Sequence, residues 1–183
     1  MQTFYARALG DLAAVFERID HAQIEAACDL IAAADRIALY GVGREGLQIK
    51  GFAMRLFHLG LRASVVGDMT TPAVGKADLL IVSAGPGHFS TVEALMGVAR
   101  AAGAKTLVVT AQPDGPCPKA ADQVLVIPAQ TMADDQGPAV SVLPMGSLYE
   151  GAQYVLFEGM VDLLKTKLAV TPDAMRANHT NLE

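Results

Sequence analysis

Two glycine-rich segments of the chain carry the residue types that bind anions. The first, Gly41-Val-Gly-Arg-Glu-Gly46, has the pattern G-x-G-x-x-G between an apolar run and a predicted helix. The second, Ser83-Ala-Gly-Pro-Gly-His88, follows the apolar run 78–82. Such loops present backbone N–H groups and a helix N-terminus to an anion. The candidate binding residues are therefore Gly43, Arg44, Glu45, Lys50, Ser83, Gly85, Gly87, His88 and Ser90.

The first segment also fits a dinucleotide site. Asp68 follows the next apolar run, 63–66, about where an acid would bind the ribose of NAD. Two predicted helices precede the first strand, however, whereas a dinucleotide-binding chain usually opens with the strand. The second glycine loop also has no role in the dinucleotide fingerprint. Binding of NAD or NADP stays an alternative, and Asp68 is interpreted as a turn residue.

Apolar periodicity predicts the elements that must position these loops. We expect helices over 3–18, 21–34, 44–59, 90–102 and 145–168, a short helix after Thr171-Pro172, and strands over 36–40, 62–66, 78–82, 105–110 and 123–127. Thr71-Pro72 also predicts a short helical turn, and Ser90 with Glu93 predicts a capping box at the start of the helix over 90–102. Strands that alternate with helices indicate an α/β fold with a parallel sheet covered on both faces. Both glycine loops then leave the carboxyl ends of strands, where ligands bind in such folds. We expect one domain over 1–183.

The composition excludes several classes of function. The net charge of −5 and the absence of a basic run argue against nucleic acid as a partner. No apolar stretch reaches the ~18 residues that a membrane span needs, and 52% apolar residues suggest partial cover by other subunits. The two cysteines, Cys28 and Cys117, form neither a disulfide framework nor a metal-ligand spacing, which favours a cytoplasmic protein. Scattered histidines and acids predict no metal.

Four segments make the chain resemble the sugar isomerase (SIS) domain family, and within it the 6-phospho-3-hexuloisomerases. These are GVGREGLQIKGFAMRLFHLG at 41–60, TPAVGKADLLIVSAGPG at 71–87, PMGSLYE at 144–150 and MRANHTNLE at 175–183. The resemblance implies a three-layer αβα sandwich with a five-stranded parallel sheet, of the flavodoxin or Rossmann type, and a homotetramer with sites between subunits. It also implies that hexulose 6-phosphate is converted to fructose 6-phosphate without a cofactor, with the first glycine loop beside the sugar phosphate.

The resemblance also assigns two catalytic residues. Moving a carbonyl to the adjacent carbon needs a base that removes a proton bound to carbon, and a partly buried carboxylate suits this step. Glu150 matches the family glutamate, although Ser147 and Glu150 also fit a capping box that would occupy the carboxylate. A histidine suits proton transfer between oxygens or ring opening. His179 matches the terminal histidine, which in relatives reaches a neighbouring subunit's site; otherwise it belongs to a polar tail.

The loops depart from the family pattern in ways that concern the phosphate. Relatives usually have serine where Glu45 stands, and their second loop, usually S-G-S-G-E-T, corresponds to residues 84–89, AGPGHF. A carboxylate beside a phosphate dianion would cost on the order of several kcal/mol at an effective dielectric constant of ~20. We therefore hypothesise that Glu45 and His88 recognise another substrate group. The alternatives are an isomerase of a sulfonated or non-phosphorylated sugar, and a non-catalytic sugar-binding sensor domain.

Overall fold

The computed structural model describes residues 3–137 and 140–182. The helices are α1 Phe4–Phe16, α2 His21–Ala33, α3 Gly43–His58, α4 Ser90–Ala101, α5 Pro116–Lys119, α6 Ser147–Lys167 and α7 Pro172–Ala177. The strands are β1 Ile37–Gly41, β2 Ala63–Val65, β3 Leu79–Ser83, β4 Lys105–Thr110 and β5 Gln123–Val126. The strands form one sheet in the order β2-β1-β3-β4-β5, and every neighbouring pair is parallel.

The sheet is buried on both faces by helices, which confirms the predicted three-layer α/β fold. Successive side chains of a strand point to opposite faces. In β1, Ile37 and Leu39 pack with α1, α2, α3 and α6, whereas Ala38 packs in a second cluster with α4 and α5. Because both faces are apolar, the central strand β3 is an apolar run that ends in Ser83, as buried parallel strands often are.

Helices α3 and α6 are joined in the core by two aromatic rings. Phe52 of α3 and Phe157 of α6 stack with centroids 4.4 Å apart and an interplanar angle of 10°. Both side chains are almost fully buried. This packing fixes the two helices against each other, and their N-termini both lie at the carboxyl edge of the sheet.

Two local predictions were wrong, and one helix was not predicted. Residues 71–75 form an irregular loop instead of a helical turn, because the Thr71 hydroxyl donates to the Val65 carbonyl oxygen at 2.6 Å rather than capping a helix. Ser90 is the first residue of α4 and not its N-cap, which is Phe89. The unpredicted helix, α5, has only four residues, and two of them are prolines.

Candidate functional site

The first glycine loop brings the start of α3 against the end of β1. A Cβ atom on Gly46 would lie 2.5 Å from the Gly41 carbonyl oxygen, so only glycine permits this approach. Gly43 is the first residue of α3 and has φ +57°. The tight turn places Arg44 and Glu45 in the first helical turn, directly above the carboxyl ends of β1 and β3.

The Glu45 side chain points into the second glycine loop. Its Oε2 atom accepts a hydrogen bond from the Ser83 hydroxyl at 2.5 Å and another from the Gly85 N–H at 3.0 Å. Only 6% of the residue is exposed. Burial raises the pKa of Glu45, and the two hydrogen bonds offset part of this rise. The structure thus brings the two loops into contact through a carboxyl group.

Ser83 links this carboxyl group to α6. The Gln153 Nε2 group donates to the Ser83 hydroxyl at 2.8 Å, and the Tyr149 hydroxyl lies 3.2 Å from the same oxygen. Tyr149 and Gln153 are buried, and burial raises the pKa of Tyr149 well above its usual value. A Cβ atom on Gly85 would lie 2.8 Å from Glu45 Oε1 and 2.9 Å from Tyr149 Cε1. Glycine at this position therefore leaves room for the carboxyl group and the ring.

Tyr149 and Gln153 were not among the predicted site residues. They lie four residues apart on α6 and so share one face of the helix. A glutamine on the buried face of a helix needs polar partners, because an unpaired buried amide is costly. That spacing was a signal in the sequence, but it could not identify Ser83 as the partner.

Arg44 holds Glu150 at the start of α6. The Arg44 Nη2 atom lies 3.3 Å from Glu150 Oε1, and the guanidinium group also donates to the Ser147 hydroxyl at 2.7 Å and to the Met145 carbonyl at 2.5 Å. Glu150 Oε2 is buried and has no hydrogen-bond partner among the residues that the structure describes. Burial raises the pKa of Glu150, while a hydrogen bond from its own backbone N–H and the charge of Arg44 lower it. The carboxylate is thus anchored through one oxygen.

The capping-box alternative for Glu150 is not what the structure shows. The N-cap of α6 is Gly146, and the Ser147 N–H donates to the Pro144 carbonyl oxygen at 3.1 Å. The Ser147 hydroxyl accepts from Arg44. The Ser147 hydroxyl is therefore held by Arg44, and its N–H by the end of the preceding loop.

The remaining loop candidates lie outside these contacts. His88 is exposed, and its Nε2 atom lies 3.0 Å from Glu93 Oε2. Ser90 and Glu93 form no capping box, because Ser90 is the first residue of α4 and not its N-cap. Ser90 and Lys50 are exposed, and the Gly87 N–H donates to the Ala84 carbonyl oxygen at 2.8 Å. The structure does not bring His88 against Glu45, so a joint role of these two residues stays a hypothesis.

His179 lies at the other end of α3. Its ring stacks on the ring of His58 with centroids 5.0 Å apart, and Asn178 donates to the His58 carbonyl oxygen at 3.0 Å. His58 is the last residue of α3, whereas Glu45 is in its first turn. At 1.5 Å per residue these positions are about 20 Å apart along the helix. Within one chain, His179 is therefore far from the site that contains Arg44 and Glu150.

The structure also describes Asp68, the candidate ribose ligand, and shows whether the described residues could hold a metal or span a membrane. Asp68 is exposed in the turn after β2: its N–H donates to Val65 O at 3.2 Å, and its carbonyl accepts from the Thr71 N–H at 3.0 Å. It is therefore a turn residue, as predicted. Residues 3–137 and 140–182 contain no group of three or more histidines, cysteines and acids placed to hold a metal. None of the helices described is long and apolar enough to cross a membrane.

Known proteins are similar to this chain in sequence and in fold. The family model described as SIS domain matches residues 30–152. The chain is 36% identical over 166 residues to the 3-hexulose-6-phosphate isomerase of Mycobacterium gastri, a match that covers 91% of this chain and 83% of that protein. It is 34% identical over 154 residues to the 3-hexulose-6-phosphate isomerase of Methylomonas aminofaciens, with 84% of each covered.

Solved structures give the same picture of the fold. The crystal structure of a hypothetical protein from Methanococcus jannaschii, from which a 3-hexulose-6-phosphate isomerase function was inferred, matches with a TM-score of 0.83 at 25% identity. That match covers 97% of both chains.

Proposed function

Because the chain belongs to the SIS domain family, we propose that it is a sugar isomerase of the 3-hexulose-6-phosphate isomerase type. The reaction moves the carbonyl of a ketose from C3 to C2. A base removes the proton from C2, the resulting enediolate spans C2 and C3, and a proton then returns to C3. No external oxidant or reductant is needed, because one carbon is oxidised as its neighbour is reduced. Phosphosugars are the substrates to test first.

Glu150 is the proposed base, and its anchored carboxylate is the observation that carries this proposal. One oxygen is held by Arg44, and the other has no hydrogen-bond partner among the described residues. The site lies at the carboxyl ends of β1 and β3, where this class of fold binds ligands. A base with a raised pKa also takes a proton from carbon more readily than an ordinary carboxylate does.

His179 is proposed to assist from a neighbouring subunit. It lies about 20 Å along α3 from the first turn, so its own chain does not bring it to Glu150. The exposed face of α3 and α6 carries large apolar side chains suited to self-association, namely Leu47, Met54, Tyr154 and Val155. We infer a homo-oligomer, a tetramer by resemblance to the family, in which the histidine of one subunit completes the site of another.

Hydrogen exchange with solvent tests the proposed chemistry. The protein is incubated in D₂O with fructose 6-phosphate, and deuterium incorporation at C3 and formation of the 3-ketose are followed by NMR. Loss of exchange in Glu150→Gln is expected, on the order of 10²-fold or more. The matched control is Glu158→Gln, which removes a carboxylate on the same helix that pairs with Arg55 at 2.8 Å. Equal loss in both variants would contradict a specific role for Glu150.

A further inference from the structure

The donors of the second glycine loop are already used within the protein. The Ala84 N–H donates to the Val109 carbonyl at 2.9 Å, and the Gly87 N–H donates to the Ala84 carbonyl at 2.8 Å. The Gly85 N–H and the Ser83 hydroxyl both donate to Glu45. Residue 86 is proline, which has no N–H. The segment 83–87 therefore directs its donors to protein acceptors, and the Glu45 carboxyl takes the two that face α3.

Glu45 thus occupies the position of an anion at the junction of the two loops. Its acceptor oxygen receives one hydroxyl and one backbone N–H, which is how glycine loops hold a phosphate oxygen. The carboxyl is buried and is fixed from both sides, by β3 through Ser83 and by the loop through Gly85. The Tyr149 ring and Gln153 close the remaining space around Ser83. The charged groups nearby are Glu150 and Arg44, and Arg44 is itself paired with Glu150.

A resident carboxylate discriminates between ligands by their charge. Its repulsion of a dianion is about twice its repulsion of a monoanion at the same distance, and it vanishes for a neutral group. Burial weakens the screening of this repulsion by solvent and salt. Glu45 therefore lowers the binding affinity most for a sugar that ends in phosphate and least for an uncharged sugar.

We propose that Glu45 determines the head-group specificity of this site, and that it favours a sugar with a singly charged or uncharged end over one that ends in a phosphate dianion. The inference rests on the proposed function in one respect, namely that the loops 41–46 and 83–88 border the sugar site. It refines the substrate and leaves the isomerisation step unchanged.

Equilibrium binding tests this inference without turnover. Fructose 6-phosphate, 6-deoxy-6-sulfofructose and fructose differ in head-group charge, and each is titrated by calorimetry at mildly alkaline pH into wild type, Glu45→Gln and Glu45→Ser. Glu45→Gln keeps the shape of the side chain and an acceptor for Ser83 and Gly85. We expect both variants to bind the phosphate on the order of tenfold tighter than wild type, with little change for fructose. Wild type should bind the sulfonate at least as tightly as the phosphate.

The outcomes separate this inference from the proposed function. A wild-type preference for the phosphate that both variants leave unchanged would overturn the inference, and so would the absence of binding by all three sugars. If Glu45→Ser fails to fold, the affinities of Glu45→Gln and the ratio of sulfonate to phosphate affinity in the wild type still test the inference. Hydrogen exchange in D₂O with the same three sugars reports the chemistry separately. If the relative affinities for the three sugars depend on Glu45 but no hydrogen exchange is seen, the specificity role of Glu45 is supported and the proposed isomerase function is contradicted.

Discussion

Arg44 holds one oxygen of the Glu150 carboxylate, at 3.3 Å, and the second oxygen has no hydrogen-bond partner among the described residues. The ion pair favours the charged form that a base needs, and burial opposes it. The same arginine binds Ser147 and the Met145 carbonyl, so it also fixes the loop that precedes α6. Arg44 therefore orients the proposed base and influences its pKa.

Replacing Arg44 should move the acid limb of the pH–rate profile. Glu150 acts as a base only when it is ionised, so the rate should rise with pH through its raised pKa. In Arg44→Met the carboxylate loses the cation that lowers its pKa, and the limb should move to higher pH. The measurement is the pH dependence of exchange at C3. Arg55→Met, which removes the partner of Glu158, is the matched control, and an equal shift there would contradict the assignment.

Mixed oligomers should show which subunit supplies His179. His179→Asn and Glu150→Gln are each expected to be inactive alone, because each lacks one proposed catalytic group in every site. After the two are unfolded together and refolded as mixed oligomers, some sites should combine an intact Glu150 with an intact His179 of another chain. Activity should then recover to about a quarter of the wild-type value if sites form between pairs of subunits.

A lack of recovery in the mixed oligomers would contradict a shared site. His179 also stacks on His58, so a purely structural role must be tested separately. The thermal midpoint of His179→Asn supplies that test: a large fall together with lost activity would indicate destabilisation and not a catalytic defect.

The raised pKa of Glu45 should make stability depend on pH. A carboxyl with a raised pKa in the folded state binds protons more readily there than in the unfolded chain. The free energy of unfolding therefore falls as pH rises from the unfolded value of ~4.3 through the folded pKa. In Glu45→Gln this component should be absent, so its stability should vary less over the same range. Urea titrations at a series of pH values measure this, and parallel curves for the two proteins would contradict it.

Two glycines of α3 should respond oppositely to alanine. The Cβ atom of Gly46→Ala would lie 2.5 Å from the Gly41 carbonyl oxygen, whereas no heavy atom lies within 4 Å of a Cβ atom on Gly51. Gly46→Ala should lose about 1–3 kcal/mol through overpacking. Gly51→Ala should gain about 0.5–1 kcal/mol, because alanine favours the helix. Urea denaturation measures both, and equal stability of the two variants would be the contrary result.

The sequence predicted the sheet and the two loops well, because apolar strands followed by glycines are local patterns. Strand 105–110 agrees with β4, and the other strands differ by one residue at one or both ends. The orientation of Glu45 could not be predicted, since it depends on Ser83, which is 38 residues away. The hydrogen bonds of Tyr149 and Gln153 with Ser83 could not be predicted either, because they also join residues that are distant in the sequence. The two capping boxes were the weakest local predictions, because Ser90 is the first residue of α4 and not its N-cap, and the Ser147 hydroxyl accepts from Arg44.

The stack of Phe52 on Phe157 has a consequence for how the site is assembled. It fixes the separation of α3 and α6, and these helices carry Arg44 and Glu150 on their first turns. The alignment of the cation and the carboxylate is therefore preorganised by two rings in the apolar interior, so the proposed site should need little reorganisation when a substrate binds. A substitution that disturbs this stack should therefore misorient Arg44 and Glu150 at the edge of the sheet, even where the protein remains folded.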